Sequence, residues 1–181
     1  MKEEKSSLIL RKWTKQLFLG LFLRSGLTPN QLTTINFLVT SVPSVYFLAT
    51  GHNVIALLLI LINVPIDFLD GEVAKATGQM TKLGAYLDTS LDWIWQLSLL
   101  GAMVYRTNLV TWGLVAIIST VYSNYLSATS RRQLDDFPFV MKYYMFGGIL
   151  FNKLDWALVV IAIAYSLKVV LTGYSAIKER M

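Results

Sequence analysis

The sequence predicts an all-α integral membrane protein, and three observations lead to this fold class. Hydrophobic residues make up 55% of the 181 positions and charged residues only 15%, a composition too apolar for an ordinary soluble domain. The apolar residues are gathered in runs close to the ~20 residues that a hydrocarbon core requires. Short polar segments that contain Gly, Asn, Lys or Arg separate these runs. We therefore expect one compact membrane domain built from a bundle of helices.

The first element, residues 1–28, combines apolar residues at helical spacing with several basic residues, and Trp13 suits the level of the lipid headgroups. This pattern predicts an amphipathic helix that lies in the membrane interface. A short helix packed on the bundle would use the same periodicity and is the alternative. Residues 29–181 then form the membrane domain.

Six apolar runs follow in order. Thr28 is expected to cap the first spanning helix, with Pro29 at its first helical position. Pro43 and Pro65 lie inside the first two runs, where a membrane helix tolerates proline if neighbouring groups satisfy the freed carbonyls. The expected spans lie near residues 32–50, 53–74, 82–105, 108–128, 138–151 and 154–172.

The basic residues predict the orientation of these spans. Only Arg106 and Lys153 fall on one side, which leaves fourteen of the sixteen Lys and Arg residues on the other. Because basic loops stay in the cytoplasm, we expect both termini to face it, in a multi-pass protein of a prokaryotic plasma membrane. The net charge of +5 follows this topology, which favours an anionic lipid surface as partner and no nucleic acid.

Two scarce residue types limit the possible sites. The chain has no cysteine, so disulfides and thiolate sites are excluded. Its single histidine, His52, cannot build a histidine-based metal centre. A metal site in this chain must therefore use oxygen ligands.

Four aspartates stand in two neighbouring helical segments and form two stripes. The first stripe has members at i, i+3, i+4 and i+7, and the second at i, i+4 and i+8, so each lies on one helix face. A turn rich in Gly and hydroxyl residues separates them, which in an antiparallel pair would aim both stripes into one cleft. The stripes are Asp67, Asp70, Gly71 and Ala74, and then Gly84, Asp88 and Asp92.

The chemistry of this cleft favours divalent cations. Four carboxylates in a low-dielectric place repel one another and lose hydration, and cations relieve both costs. Oxygen ligands suit hard ions such as Mg²⁺, Mn²⁺ or Ca²⁺, and two ions would neutralise the four charges. Gly71 and Gly84 leave room beside the aspartates for a nucleotide or its phosphates.

At these residues the sequence resembles a known family. The matching pattern is Asp67-x2-Asp70-Gly71-x2-Ala74-Lys75-x8-Gly84-x3-Asp88-x3-Asp92. It is similar to the signature of the CDP-alcohol phosphotransferases (CDP-alcohol phosphatidyltransferases), except that Lys75 stands where the family has Arg. The resemblance implies six transmembrane helices, preceded by an amphipathic helix on the cytoplasmic surface, and a homodimer.

The resemblance also implies roles for the residues. Asp67, Asp70 and Asp88 would hold the metal ions, and Asp92 would bind metal and act as the general base, although the residues alone do not rank the four aspartates for that role. Around the CDP moiety we expect Gly71, Ala74, Lys75 and Gly84, together with Asn30 and Thr33 of a Pro-Asn-x-Leu-Thr pattern that helix capping explains equally well.

Acceptor recognition is expected from basic residues at the ends of the fourth and fifth spans. Relatives that use phosphorylated acceptors keep basic residues there, and such residues could clamp a phosphate. Ordinary positive-inside charges are the alternative explanation. The candidates are Arg131, Arg132 and Lys142.

The implied activity is that of a membrane enzyme of phospholipid biosynthesis. It would transfer a substituted phosphate from CDP-diacylglycerol, or an ether-lipid analogue, to a small polar alcohol and release CMP, with Mg²⁺ or Mn²⁺ bound. Alternatives are a CDP-amino alcohol donor with a diacylglycerol acceptor, a divalent-cation transporter, and a CDP-lipid binder without turnover. The aspartates lie at one end of the spans, which argues against the transporter, whereas Lys75 motivates the non-catalytic binder.

Overall fold

The computed structural model describes residues 26–129 and 138–178, together with Gly20. Within these ranges the chain is helical and contains no strand. We number the helices in chain order. They are α1 (Pro29–Ala49), α2 (Asn53–Thr77), α3 (Lys82–Thr107), α4 (Val110–Thr129), α5 (Pro138–Leu150) and α6 (Leu154–Lys178).

Helix α1 begins as the sequence predicts. Thr28 caps it by accepting a hydrogen bond from the Gln31 backbone N–H, and the Gln31 side chain accepts one from the Thr28 N–H, which together form a capping box. The helix then widens into a π turn at Phe37–Ser41, where the N–H of Val42 donates to the carbonyl of Phe37. The wider turn lets the consecutive residues Thr40 and Ser41 both be buried.

The turn between α2 and α3 also has the predicted chemistry. Gly78 ends α2 in the left-handed region at φ +67°, and the N–H of Gln79 donates to the Ala74 carbonyl. The hydroxyl of Thr81 then accepts a hydrogen bond of 3.0 Å from the N–H of Gly84 in the first turn of α3. Glycine and a hydroxyl residue therefore stop one helix and start the next.

The chain forms two compact units, each described here by itself. The first takes in the described residues of 1–43 and 58–95, and the predicted site residues of α1, α2 and α3 all belong to it. The second takes in 44–57 and the described residues from 96 onward. In the second unit α4 and α5 both pack on α6, and Gly148 approaches Ala157 so closely that a Cβ would not fit.

Three of the described helices are long and apolar enough to cross a membrane. A shorter apolar helix lies at Val110–Leu126. These helices fit a multi-pass integral membrane protein. They are fewer than the six membrane spans that the sequence predicts. Residues 1–19, which hold most of the predicted amphipathic helix, lie outside the described residues. The candidate spans are Pro29–Ala49, Asn53–Thr77 and Leu154–Tyr174.

Candidate metal and nucleotide site

Thr33, in the second turn of α1, contacts Asp70 of α2. Its Oγ1 donates to Asp70 Oδ2 across 2.6 Å and also lies 3.1 Å from the carbonyl oxygen of Pro29. The Asp70 side chain is buried, so this bond replaces part of the hydration that the carboxylate has lost. Thr33, predicted as a nucleotide contact, thus also supports an aspartate of the predicted metal site.

One cavity of about 160 Å³ brings together the residues predicted to surround CDP. Two of the four aspartates, Asp70 and Asp88, line the same cavity. The helix face of α2 and the first turns of α3 supply most of the wall, as the two stripes predict. The predicted nucleotide residues in this wall are Asn30, Thr33, Gly71, Ala74, Lys75 and Gly84.

The sequence analysis missed part of this wall. Gln79, Met80 and Thr81, which join α2 to α3, line the cavity, as do Pro29 and Ala85. Gln79, Met80 and Thr81 lie in the predicted turn between the two aspartate stripes, and this position is a signal that could have identified them as part of the wall. A ligand in this cavity therefore meets the turn as well as the two helices.

The two glycines of the motif have different surroundings. A Cβ added to Gly84 would lie 2.7 Å from Asn30 Oδ1 and 3.1 Å from Thr81 Oγ1, so the missing side chain lets Asn30 approach α3. A Cβ added to Gly71 would meet no atom within 4 Å. Because Gly71 lines the cavity, its missing side chain leaves space for a ligand rather than for the protein.

Lys75 has a carboxylate partner that the sequence analysis did not identify. Its Nζ lies 3.0 Å from Oε1 of Glu72, one turn earlier on α2. The Lys75 side chain is 61% exposed, so the pair adds little to stability, but it holds the ammonium group at the edge of the cavity. The i, i+3 spacing of the two residues was the available signal.

The other two aspartates line a second, much smaller cavity of about 10 Å³. Thr33 and Asp88 line both cavities, so the four aspartates surround two neighbouring spaces. The small cavity is rich in oxygen atoms. The side chains with oxygen atoms in its lining are Thr33, Asn36, Ser41, Asn63, Asp67, Asp88 and Asp92, and Phe37, Leu91 and Trp95 complete the lining.

The donor chemistry of these two cavities fits a hard divalent cation. Carboxylate, hydroxyl and amide oxygens are the ligands that Mg²⁺, Mn²⁺ and Ca²⁺ prefer. Among the described residues, however, no three His, Cys, Asp or Glu side chains stand close enough together to hold a metal ion as they are placed. The residues thus fit the ion by type and by location, whereas the carboxylates do not form a closed ligand set.

The predicted acceptor residues lie elsewhere in the chain. Arg131 and Arg132 fall outside the described residues, and Lys142 belongs to α5 but its side chain falls outside them too. Their role therefore stays a prediction.

Comparisons with known proteins agree on one family. A sequence model of the CDP-alcohol phosphatidyltransferases matches residues 26–177. The archaetidylinositol phosphate synthase of Pyrococcus horikoshii is 34% identical over 106 residues, which are 59% of this chain and 54% of that protein. The bifunctional IPC transferase and DIPP synthase of Aquifex aeolicus is 31% identical and covers 88% of this chain, which spans 41% of that protein. The chain thus spans about half the length of these relatives.

Solved structures share the fold. The phosphatidylinositol phosphate synthase of Mycobacterium tuberculosis, crystallised with manganese and citrate, superposes with a TM-score of 0.77 at 18% identity, over 87% of this chain and 86% of that one. The same enzyme with CDP-DAG bound gives a TM-score of 0.73 at 20% identity, over 87% of this chain and 90% of that one.

Proposed function

The chain belongs to the CDP-alcohol phosphatidyltransferase family, and we propose that it is a membrane enzyme of phospholipid biosynthesis. In the proposed reaction, a hydroxyl oxygen of a small polar alcohol attacks the β-phosphorus of a CDP-linked lipid. A new oxygen–phosphorus bond forms, the bond from the β-phosphorus to the bridging oxygen breaks, and CMP leaves with that oxygen. The observation that carries this proposal is the cavity that joins the predicted nucleotide residues to Asp70 and Asp88.

The four aspartates have two proposed roles, metal binding and proton transfer. We infer that Asp67, Asp70 and Asp88 bind the divalent cations, Mg²⁺ or Mn²⁺, with Asp92 as a further ligand. Asp92 also takes the proton of the attacking hydroxyl group. When bound, the cations offset the charge of the pyrophosphate. Asp92 lines the small cavity together with Asp67 and Asp88, which supports its place beside both of them.

The proposed nucleotide contacts follow from the larger cavity. Gly71 leaves room for the pyrophosphate beside the backbone of α2, whereas Gly84 lets Asn30 of α1 approach α3. Thr33 of α1 lines the same cavity. Lys75 offsets phosphate charge from the edge of the cavity, where Glu72 holds its ammonium group. An ammonium group lacks the planar two-pronged geometry of the arginine that the family uses at this position.

The substrates are proposed from the relatives. The similar archaetidylinositol phosphate synthase and the solved phosphatidylinositol phosphate synthase are both named for inositol phosphate lipids, and one structure of the latter holds CDP-DAG. This supports CDP-diacylglycerol or an ether-lipid analogue as donor, and makes an inositol phosphate the first acceptor to test. The basic residues at 131, 132 and 142 would bind the phosphate of such an acceptor.

The proposed setting is a prokaryotic plasma membrane, with the site and both termini on the cytoplasmic side and two copies of the chain in a homodimer. The excess of basic residues on that side of the predicted spans supports the orientation. Soluble acceptors and metal ions then reach the aspartates directly.

The test is CMP release by the purified protein in nanodiscs that contain CDP-diacylglycerol and Mg²⁺ or Mn²⁺. Acceptors to compare are inositol phosphate, inositol, glycerol 3-phosphate and serine. We expect release with one of them, and its loss in Asp92→Asn. The matched control is Asp155→Asn, because Asp155 is exposed at the start of α6 and lines neither aspartate cavity.

The other outcomes separate the alternatives. Turnover of a CDP-amino alcohol with diacylglycerol would reverse donor and acceptor. Metal flux into proteoliposomes without CMP release would support the transporter. If the folded protein binds CDP-diacylglycerol but is inactive, and Lys75→Arg does not restore activity, the non-catalytic CDP-lipid binder would be supported. Activity retained in Asp92→Asn would refute the general base assignment.

A further inference from the structure

The small cavity contains one polar atom that the proposed reaction does not use, the side-chain oxygen of Asn63. Asn63 is 2% exposed, and its Oδ1 has no hydrogen-bond partner among the residues that the structure describes. A buried amide oxygen that has lost its water and gained no partner is unfavourable. An unpartnered oxygen at the wall of a cavity therefore indicates that something else binds there.

Neighbouring hydroxyl groups fix the orientation of this amide. Asn63 Nδ2 donates to Thr40 Oγ1 at 2.9 Å and to Ser41 Oγ at 2.8 Å. Thr40 Oγ1 in turn lies 2.7 Å from the carbonyl oxygen of Asn36 and 2.8 Å from Asn36 Oδ1. Because the single proton of Thr40 is directed at Asn36, Thr40 can only accept from Asn63. The amide nitrogen must face Thr40, which leaves Oδ1 for the cavity.

The position of Asn63 on α2 places it in line with the aspartates. It precedes Asp67 by four residues and Asp70 by seven, so it extends the aspartate stripe by one helical turn. Asn63 lines the small cavity with Asp67, Asp88 and Asp92. The residue that precedes the aspartates on this helix face thus contributes an uncharged amide oxygen.

The contents of this cavity are limited by its size and by its walls. Its volume of about 10 Å³ has room for roughly one ion or one water molecule. The carboxylates are acceptors when ionised, and the free atom of Asn63 is an acceptor too. The group that faces Asn63 Oδ1 must therefore be a cation or a hydrogen-bond donor such as water, and amide oxygens are common ligands of hard cations.

We propose that Asn63 Oδ1 is a further oxygen ligand of the aspartate site, facing, directly or through one water molecule, a divalent cation in the small cavity that Asp67, Asp88 and Asp92 also line. The inference rests on the proposed function, because it requires that these aspartates bind a cation. Thr40, Ser41 and Asn36 are then positioning residues that hold the amide in the required orientation. An uncharged ligand strengthens cation binding without adding a fourth negative charge to the small cavity.

The test measures Mn²⁺ binding, by the EPR signal of free Mn²⁺, to the protein in nanodiscs without any substrate. We expect Asn63→Leu to weaken Mn²⁺ binding roughly 10-fold or more, as loss of a supporting ligand does in other metal sites. Asp88→Asn should weaken it further. Ser123→Ala is the matched control, because Ser123 is another buried polar residue whose oxygen has no partner in the described part of the chain, but it belongs to the second compact unit.

A second variant guards against misfolding of Asn63→Leu. Asn63→Ala removes the same amide without adding a branched side chain, so it should also weaken Mn²⁺ binding roughly 10-fold or more. Unchanged Mn²⁺ affinity in a folded Asn63→Leu or Asn63→Ala, with a loss in Asp88→Asn, would overturn the inference and leave the proposed function standing. Absence of Mn²⁺ binding to the wild type would instead reject the metal site itself, and the inference with it.

Discussion

Thr33 Oγ1 and Asp70 Oδ2 lie 2.6 Å apart, although the two residues are 37 positions apart in the sequence. The contact joins the first turns of α1 to the aspartate stripe of α2, within one compact unit. Because Thr33 lines both cavities, the hydroxyl group connects the predicted nucleotide residues with the predicted metal ligands.

Replacing Thr33 by Val should remove this bond and keep the shape of the side chain. A hydrogen bond to a charged group contributes about 1.5–3 kcal/mol, so kcat/KM for CMP release should fall roughly 10- to 150-fold. Thr34→Val is the control, since Thr34 Oγ1 donates to the Asn30 carbonyl and Thr34 lines neither cavity. Equal kinetics in the two variants would show that the contact with Asp70 is unimportant.

The two glycines should respond differently to alanine. Gly84→Ala should lower the melting temperature without ligand, because its Cβ would lie too close to Asn30 Oδ1. Gly71→Ala should not lower that temperature, because alanine favours a helix and its Cβ would meet no atom within 4 Å. It should raise KM for the CDP-linked donor several-fold, because the Cβ enters the cavity. Gly101→Ala is the control, as its Cβ meets nothing within 4 Å and the residue lines neither aspartate cavity. A donor KM unchanged in Gly71→Ala would contradict the proposed place of the pyrophosphate.

Removing the charge of Lys75 should act on donor binding rather than on folding. We expect Lys75→Met to raise KM for the donor about 10-fold. The melting temperature should change little, because the Lys75 side chain is largely exposed and its ion pair with Glu72 adds little stability. Lys75→Arg should keep activity. Lys82→Met serves as the control, since Lys82 is exposed and lines neither cavity. A wild-type donor KM in Lys75→Met would show that the ammonium group pairs with Glu72 but does not contribute to donor binding.

The proposed acceptor residues can be tested by comparing acceptors with and without phosphate. Arg131→Gln and Arg132→Gln should raise KM for inositol phosphate more than 10-fold, because arginine forms strong, charge-assisted and often bidentate hydrogen bonds with phosphate. Activity with any unphosphorylated acceptor should not change. Lys153→Gln is the control, since it removes one charge that we predict to lie on the opposite side of the membrane. Parallel losses with both kinds of acceptor would indicate a general effect of charge.

The sequence predicted one cleft for the four aspartates, and the structure divides them between two neighbouring cavities. Aspartates at helical spacing necessarily share a face, and the turn residues between them predict where the two helices end. The cap at Thr28 was equally predictable, because a hydroxyl residue followed by Pro29 and Gln31 is a local signal. These features depend on residues that are close together in the chain.

Features that depend on contacts between distant helices were not predictable in this way. The bonds of Asn63 to Thr40 and Ser41 join α2 to α1, and nothing in an apolar run reveals which helix a polar residue will meet. The π turn was missed because hydrophobic periodicity assumes a regular helix. The one signal that was available was the spacing of Asn63, which is a turn before Asp67.

The π turn of α1 has a consequence for how this chain should be aligned with its relatives. A π turn accommodates one residue more than a regular α-helix does over the same length. Deleting one residue within Phe37–Ser41 would therefore restore the regular helix and leave Thr33 on the face that contacts Asp70. What would be lost is the wide turn that buries the consecutive residues Thr40 and Ser41. A gap of a single residue at this place in an alignment would therefore mark a relative without this pair of buried hydroxyl groups rather than a neutral difference in length.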